Sequence, residues 1–218
     1  PIHQWNYTVG ASLRKQIKNG FWNLSISRNM FDNKIEKFDD NDEGNESKRR
    51  LGIFSREIEN KLRFDVNKTV NGWKIAYGML AQYVKSNNDN YKRLRKEILD
   101  QNGTVVQPAL VLDYTSDIAF MRYGLFSQVS RRYFDNRLGL SAGLRSDMNG
   151  FTNEGMNPLR TLSPRISASY VLADKWTLNA SVGLYSKLAP YTVLSFRDNN
   201  GNLLNKEADY TRSTHYTI

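Results

Sequence analysis

The sequence holds no cysteine and only two histidines, His3 and His215. Disulfides and thiolate metal sites are therefore excluded, and neither histidine lies in a metal-ligand spacing, so both read as ordinary polar strand residues and no metal or cofactor is expected. No Gly-rich phosphate loop and no G-x-S-x-G elbow occurs. The Asp and Glu residues form no isolated pair suited to acid–base work, so no enzyme activity is expected. Also missing is any apolar run near the ~20 residues that a membrane helix needs, which excludes a membrane-helix protein. A β-barrel survives that test, because only alternate residues of a barrel strand must be apolar and polar loops lower the average. The opening Pro1-Ile2-His3-Gln4 has neither the basic start nor the apolar stretch of an export signal, so an exported protein is expected to have lost its address.

Charge is plentiful but scattered. Lys and Arg number 31 against 22 Asp and Glu. Acids crowd Phe38 to Glu46 and bases crowd Tyr91 to Lys96, with no single basic stripe. No nucleic-acid partner is expected on that pattern. A basic rim facing anionic lipid headgroups suits it better.

What the sequence does have is alternation. Leu138, Leu140, Ala142 and Leu144 share one parity, while Gly139, Ser141, Gly143, Arg145 and Asp147 share the other. Such a segment is a strand with one oily and one small or polar face. Ile166, Ala168, Tyr170 and Leu172 repeat the pattern, and after Ala173-Asp174-Lys175 so do Trp176, Leu178, Ala180, Val182 and Leu184. Earlier, Trp5 to Arg14 alternates, Lys18-Asn19-Gly20 signals a type I′ hairpin, and Trp22, Leu24, Ile26 and Met30 face outward with Arg28 an exception. Phe31 to Lys48 reads as a long loop. Arg49 to Val66 reads as a strand interrupted by Arg56 and Asn60, with a helix over Ser55 to Leu62 as competitor. After Asn71-Gly72, Trp73 to Tyr83 presents an uncharged face. Lys85 to Ile118 reads as irregular, with Asn90 to Leu99 either a short helix or half of a hairpin closed by Asp100 to Gly103. Phe120 to Tyr133 follows, with Ser127 and Arg131 against the pattern. A last extended segment covers Ala208 to Ile218, making nine strands.

Connections alternate between tight turns and long loops, so tight turns fall on one rim and long loops on the other. Trp22, Trp73 and Trp176 each follow a tight turn on the apolar parity and, with Tyr133, suit a girdle at a membrane–water boundary. A soluble antiparallel sandwich also alternates, but most of these strands reach 10 residues or more, near the ~9–11 that a tilted strand needs to cross a bilayer. The small or ionic parity makes a poor core and a good wall for a wet lumen. Matches to N-x-[ST], such as Asn6-Tyr7-Thr8 and Asn179-Ala180-Ser181, include lumen-facing positions and read as chance.

The run YGLFSQVSRRYFDNRLGLSAGLRSDMN, then NPLRTLSPRISASYVLADKWTLNASVGLYSKLAPYTVL and NKEADYTRSTHYTI, resembles the barrel of TonB-dependent outer-membrane receptors, especially the type found in Bacteroidetes. The likeness is strongest from Tyr123 to Ile218, while residues 1 to 120 agree in architecture. It implies a partial, all-β, antiparallel transmembrane barrel, with residues 1–218 forming a central piece of about 22 strands. The plug domain and the barrel ends would lie outside this chain. It further implies the bacterial outer membrane as the location. The function implied is uptake of a scarce nutrient such as a ferric siderophore, cobalamin or glycan, driven by the TonB complex through the plug. The partners implied are outer-membrane lipid and lipopolysaccharide, the plug and remaining strands, the TonB complex and an unidentified nutrient. A passive porin-like channel and a soluble β-rich binding module are the alternatives.

Ligand contact is expected at the inward, upper strand ends: Arg145, Asp147, Arg165, Tyr185 and Lys187. The competing reading of these side chains is a charge network along the lumen wall. Lys92, Arg93, Arg95 and Lys96 are candidates for lipopolysaccharide phosphates, against a simple solvated loop.

Overall fold

A computed structural model describes residues 1–198 and 200–218. Among the described residues the first strands are β1 (Ile2–Ile17), β2 (Gly20–Phe38), β3 (Arg49–Val70) and β4 (Trp73–Arg95). A small hairpin, β5 (Ile98–Leu99) and β6 (Val105–Gln107), precedes β7 (Leu110–Tyr133). Then come β8 (Leu138–Asn149), β9 (Ser163–Ala173), β10 (Trp176–Lys187) and β11 (Thr211–Thr217). Apart from the hairpin, they form one nine-stranded antiparallel sheet in the order β1-β2-β3-β4-β7-β8-β9-β10-β11. The alternation predicts these nine strands, and the tight turns and long loops take opposite ends of the sheet.

Three local expectations are corrected. β2 runs to Phe38, well into the loop expected from Phe31. Most of the interval from Lys85 to Ile118 is strand, since β4 continues to Arg95 and β7 starts at Leu110. Its remainder is a hairpin and not a helix: the Asp100 carboxylate accepts from the amides of Asn102 and Thr104, both at 2.8 Å, and Gly103 takes φ +80°. The turn after β1 also differs from type I′. It is centred on Lys18-Asn19, with Asn19 alone at positive φ, and Gly20 already pairs with Ile17. Glycine is needed at position 20 because a Cβ would run into the Asn67 carbonyl. The expected type I′ geometry does occur at Asn71 (φ 50°) and Gly72 (φ 80°).

The outward parity is apolar and open: Leu13, Ile26, Met79 and Ile166 are each more than half exposed. A surface of that kind is too greasy for water and suited to lipid. Higher on β4 and β7 the same parity turns polar. Asn87 Nδ2 donates to Asp117 at 2.6 Å, and Thr115 donates to Asp89 at 2.5 Å. The exceptions to alternation gather near this level. Arg28 donates to Tyr7 Oη (2.9 Å) and Asn60 (3.2 Å), and Arg56 pairs with Asp32 at 2.7 Å. Arg131, at the other rim, lies over the rings of both Trp73 and Tyr133 at 5.3 Å.

The strands differ in height. β3, β4 and β7 have 22, 23 and 24 residues, whereas β8, β9 and β10 have 12, 11 and 12. At about 3.3 Å per residue the strands of the first group are ~75 Å long, roughly twice the strand length that a bilayer crossing requires.

Candidate functional site

The inner face of the sheet is lined by charged and small side chains, among them Ser27, Lys61, Arg63, Gln82, Arg122 and Asp147. Against that pattern, Val84, Ile118 and Phe120 point inward from β4 and β7 and are almost wholly buried. What covers them is the connection after β10, residues 188–210, which folds back into the concavity as a strap. Pro190 starts a single helical turn, α1 (Tyr191–Leu194), closed by the Ser195 amide bonding to the Tyr191 carbonyl at 2.8 Å. That turn directs Tyr191 and Leu194 onto the wall. With Leu188, Tyr210 and Phe151 they complete one apolar cluster, in which Phe120 meets the rings of Phe151 at 5.3 Å and Tyr191 at 5.8 Å. Burying one leucine-sized side chain in this way stabilises by about 1.5–3 kcal/mol.

Polar bonds fasten the rim of the strap. Asn88 donates to Ser195 Oγ at 3.1 Å, Arg197 Nε to Ser116 Oγ at 2.9 Å, and Asn149 Nδ2 to Tyr210 Oη at 2.7 Å. Tyr191 is the central fastening. Its hydroxyl donates to Glu59 at 2.8 Å and accepts from Arg122 at 3.0 Å. Burial, opposed by Arg122 and aided by the bond to Glu59, pushes the Tyr191 phenol up to about 12. It therefore stays a hydrogen-bond donor at any physiological pH.

The residues expected to contact ligand fall into two adjoining groups. Arg145 and Asp147 form a two-pronged pair, Nε and Nη2 each 2.6 Å from a carboxylate oxygen. The Arg165 guanidinium lies 4.2 Å from the centre of the Tyr185 ring. Arg145 lines a hollow shared with Arg165 and Tyr185, and it also lines a second cleft with Asp147 and Lys187. His215, read from sequence as an ordinary strand residue, lies against Tyr185 with ring centres 4.6 Å apart. Sequence reasoning missed Arg122, Glu57, Glu59, Tyr191 and Tyr210. The inward parity of Arg122 and of both glutamates was readable; the strap that meets them was not.

Elsewhere, Trp22 packs beside Phe64, Trp73 shares Arg131 with Tyr133, and Trp176 is 73% exposed. Of the basic residues on the tall loop, Arg93 bonds to Asp39 and to the Ser47 carbonyl, and Lys96 pairs with Asp39 at 2.8 Å. The Lys96 hydrogen bond, with Arg93 and Arg50 nearby, holds the Asp39 carboxyl below its ordinary value. Arg95 donates to the Pro108 carbonyl at 3.3 Å, while Lys92 is exposed and has no partner among the described residues.

The sheet has an apolar exterior and a charged concavity, and the TonB dependent receptor-like beta-barrel family matches residues 2–217. The chain belongs to that family. The match reaches the family and not the Bacteroidetes type within it. Among solved structures the receptor barrel is similar to "Copper transporter OprC", with a TM-score of 0.64 and 15% identity over 96% of this chain. The likeness is one of fold, and it spans 35% of that protein's length. No curated protein matches the chain by sequence.

Proposed function

We propose that the chain is barrel wall and outer loops of a bacterial outer-membrane receptor that binds a scarce nutrient outside and imports it with energy from the TonB complex. The observation that carries this reading is the two-faced wall, apolar outside and charged inside, in a chain matched to the receptor family along nearly its whole length. The open edges of β1 and β11 carry ladder groups that a bilayer cannot satisfy, so further strands and a plug of the same receptor are the partners proposed there. Copper, the cargo named for the structural neighbour, is not carried over on a likeness of fold.

Ligand contact is assigned to Arg145, Asp147, Arg165, Tyr185 and Lys187, supported by their convergence on two adjoining hollows. Trp22, Trp73, Trp176 and Tyr133 are assigned to the girdle, and Lys92, Arg93, Arg95 and Lys96 to lipopolysaccharide phosphates, of which Lys92 is exposed and without a partner among the described residues. Uptake by the full-length receptor, measured with the TonB complex energised and then de-energised, tests the reading. Import that stops without TonB supports it, and import that continues, with steady conductance in planar bilayers, replaces it with a passive pore. Replacing Arg145 and Arg165 by Ala tests the site: unchanged uptake with a lowered melting temperature would remove their ligand role and leave a structural network.

A further inference from the structure

The strap does more than cover the apolar patch, because between it and the wall lies a cleft of about 390 Å³. That volume is in the range of small-ligand sites. Its floor and sides bring together Glu57, Arg122, Arg145, Asp147, Lys187 and the strap's Tyr191. Several of these charges are already satisfied within the protein. Arg145 is closed by its two bonds to Asp147, and Glu59, just behind, is closed by Lys61 at 2.7 Å and Tyr191 at 2.8 Å.

Three charges remain open. Arg122 bonds only to the neutral Tyr191 hydroxyl, and neither Glu57 nor Lys187 has a hydrogen-bond or ion-pair partner among the described residues. Two cations and one anion thus face one small space, leaving one positive charge in excess and one strong acceptor. A guest that balances them carries a single anionic group and a hydroxyl to donate. Ala189, Pro190 and the Tyr191 ring supply an apolar side against which the C–H face of a sugar ring can lie.

We infer that this cleft binds a small hydroxylated carboxylate, of which a sugar acid is the simplest, with Arg122 and Lys187 holding its carboxylate and Glu57 accepting from a hydroxyl. The inference rests on the receptor reading above and narrows it to a ligand class. It requires the strap to be docked, since the strap forms one side of the cleft.

Calorimetric titration of the purified full-length receptor with glucuronate, and with glucose as the neutral counterpart, tests it. Glucuronate should bind and glucose should bind at least about tenfold more weakly, as expected when a charge-assisted bond is lost. Lys187→Ala should weaken glucuronate about tenfold without moving the melting temperature, because Lys187 holds nothing else in place, and Lys187→Arg should restore it. Equal binding of the two sugars, no binding of glucuronate because a plug segment fills the cleft, or an unaltered Lys187→Ala would each overturn the inference. TonB-dependent import that persists without glucuronate binding would refute the ligand class alone. Glucuronate binding with TonB-independent import would refute the receptor reading alone.

Discussion

The tall strands β3, β4 and β7 and the short strands β8 to β10 build two unlike stretches of one wall. On the short side the inward positions are small or polar: Gly139, Ser141, Gly143, Ser167, Ser169, Asn179 and Ser181. These face the lumen uncovered. On the tall side the inward positions include Val84, Ile118 and Phe120, which water would not tolerate, and the strap buries them. The short strand β10 ends early and its connection folds inward; the tall strands β4 and β7 continue and offer the surface that receives it. Height and inner polarity are therefore parts of one arrangement.

The largest way to break the contrast is Leu194→Ala. Leu194 is wholly buried, so its truncation should cost about 2–5 kcal/mol of strap docking, seen as a lower melting temperature and new protease cleavage within the strap. Ser181→Ala on the short side should change stability by less than about 0.5 kcal/mol. The outer faces differ in the opposite sense. Leu144→Arg, midway up the apolar outer face of β8 and level with Tyr77 on β4, should cost about 2–4 kcal/mol when folding into liposomes is measured. Asn87→Arg, above the belt on β4, should stay within about 0.5 kcal/mol.

Tyr191→Phe sharpens the comparison by leaving the apolar contact and removing the bridge between Glu59 and Arg122. A loss of about 1–3 kcal/mol is expected, read by thermal melting. The pH dependence has a definite sign. The free phenol titrates near 10 and the docked one at about 12, so docking favours the neutral form. Its contribution is complete below pH 10 and disappears as pH climbs towards 12, whereas Tyr191→Phe should lack that loss. Strap protection measured by hydrogen exchange from pH 9 to pH 12 checks both.

The smallest effect concerns the tall rim. Asp39 is held below its ordinary value by Lys96 and Arg93, so its contribution is present above the unfolded carboxylate pKa and is lost as pH falls through the folded one. Exchange in residues 39–48 should rise at strongly acid pH, and Asp39→Asn should produce the same rise at neutral pH.

The belt was legible because a wall with one apolar and one polar face imposes a period of two on every residue of a strand, as from Trp73 to Tyr83. Above it the signal fades. Asn87, Asp89, Thr115 and Asp117 stand above the apolar stretch, where outer side chains bond to one another, so their strands keep ladder bonds but lose the hydrophobic period, and they read as loops. Of the candidate site, Arg145, Asp147, Arg165, Tyr185 and Lys187 were proposed from parity at strand ends, and they line two adjoining hollows. Arg131 was visible only as an anomaly until Trp73 and Tyr133 were seen flanking it.

The sequence by itself determined the nine strands of the main sheet, their antiparallel order, which face is apolar and which rim carries the loops, because those follow from neighbours along the chain and from short turns. Only the tertiary structure decided that residues 188–210 turn inward and that Tyr191 meets Glu59, 132 residues away, and Arg122, 69 away. No local period encodes such a meeting. It follows from an apolar patch high on one stretch of wall and an apolar helical turn on the far side, each of which is stable in water only when covered by the other.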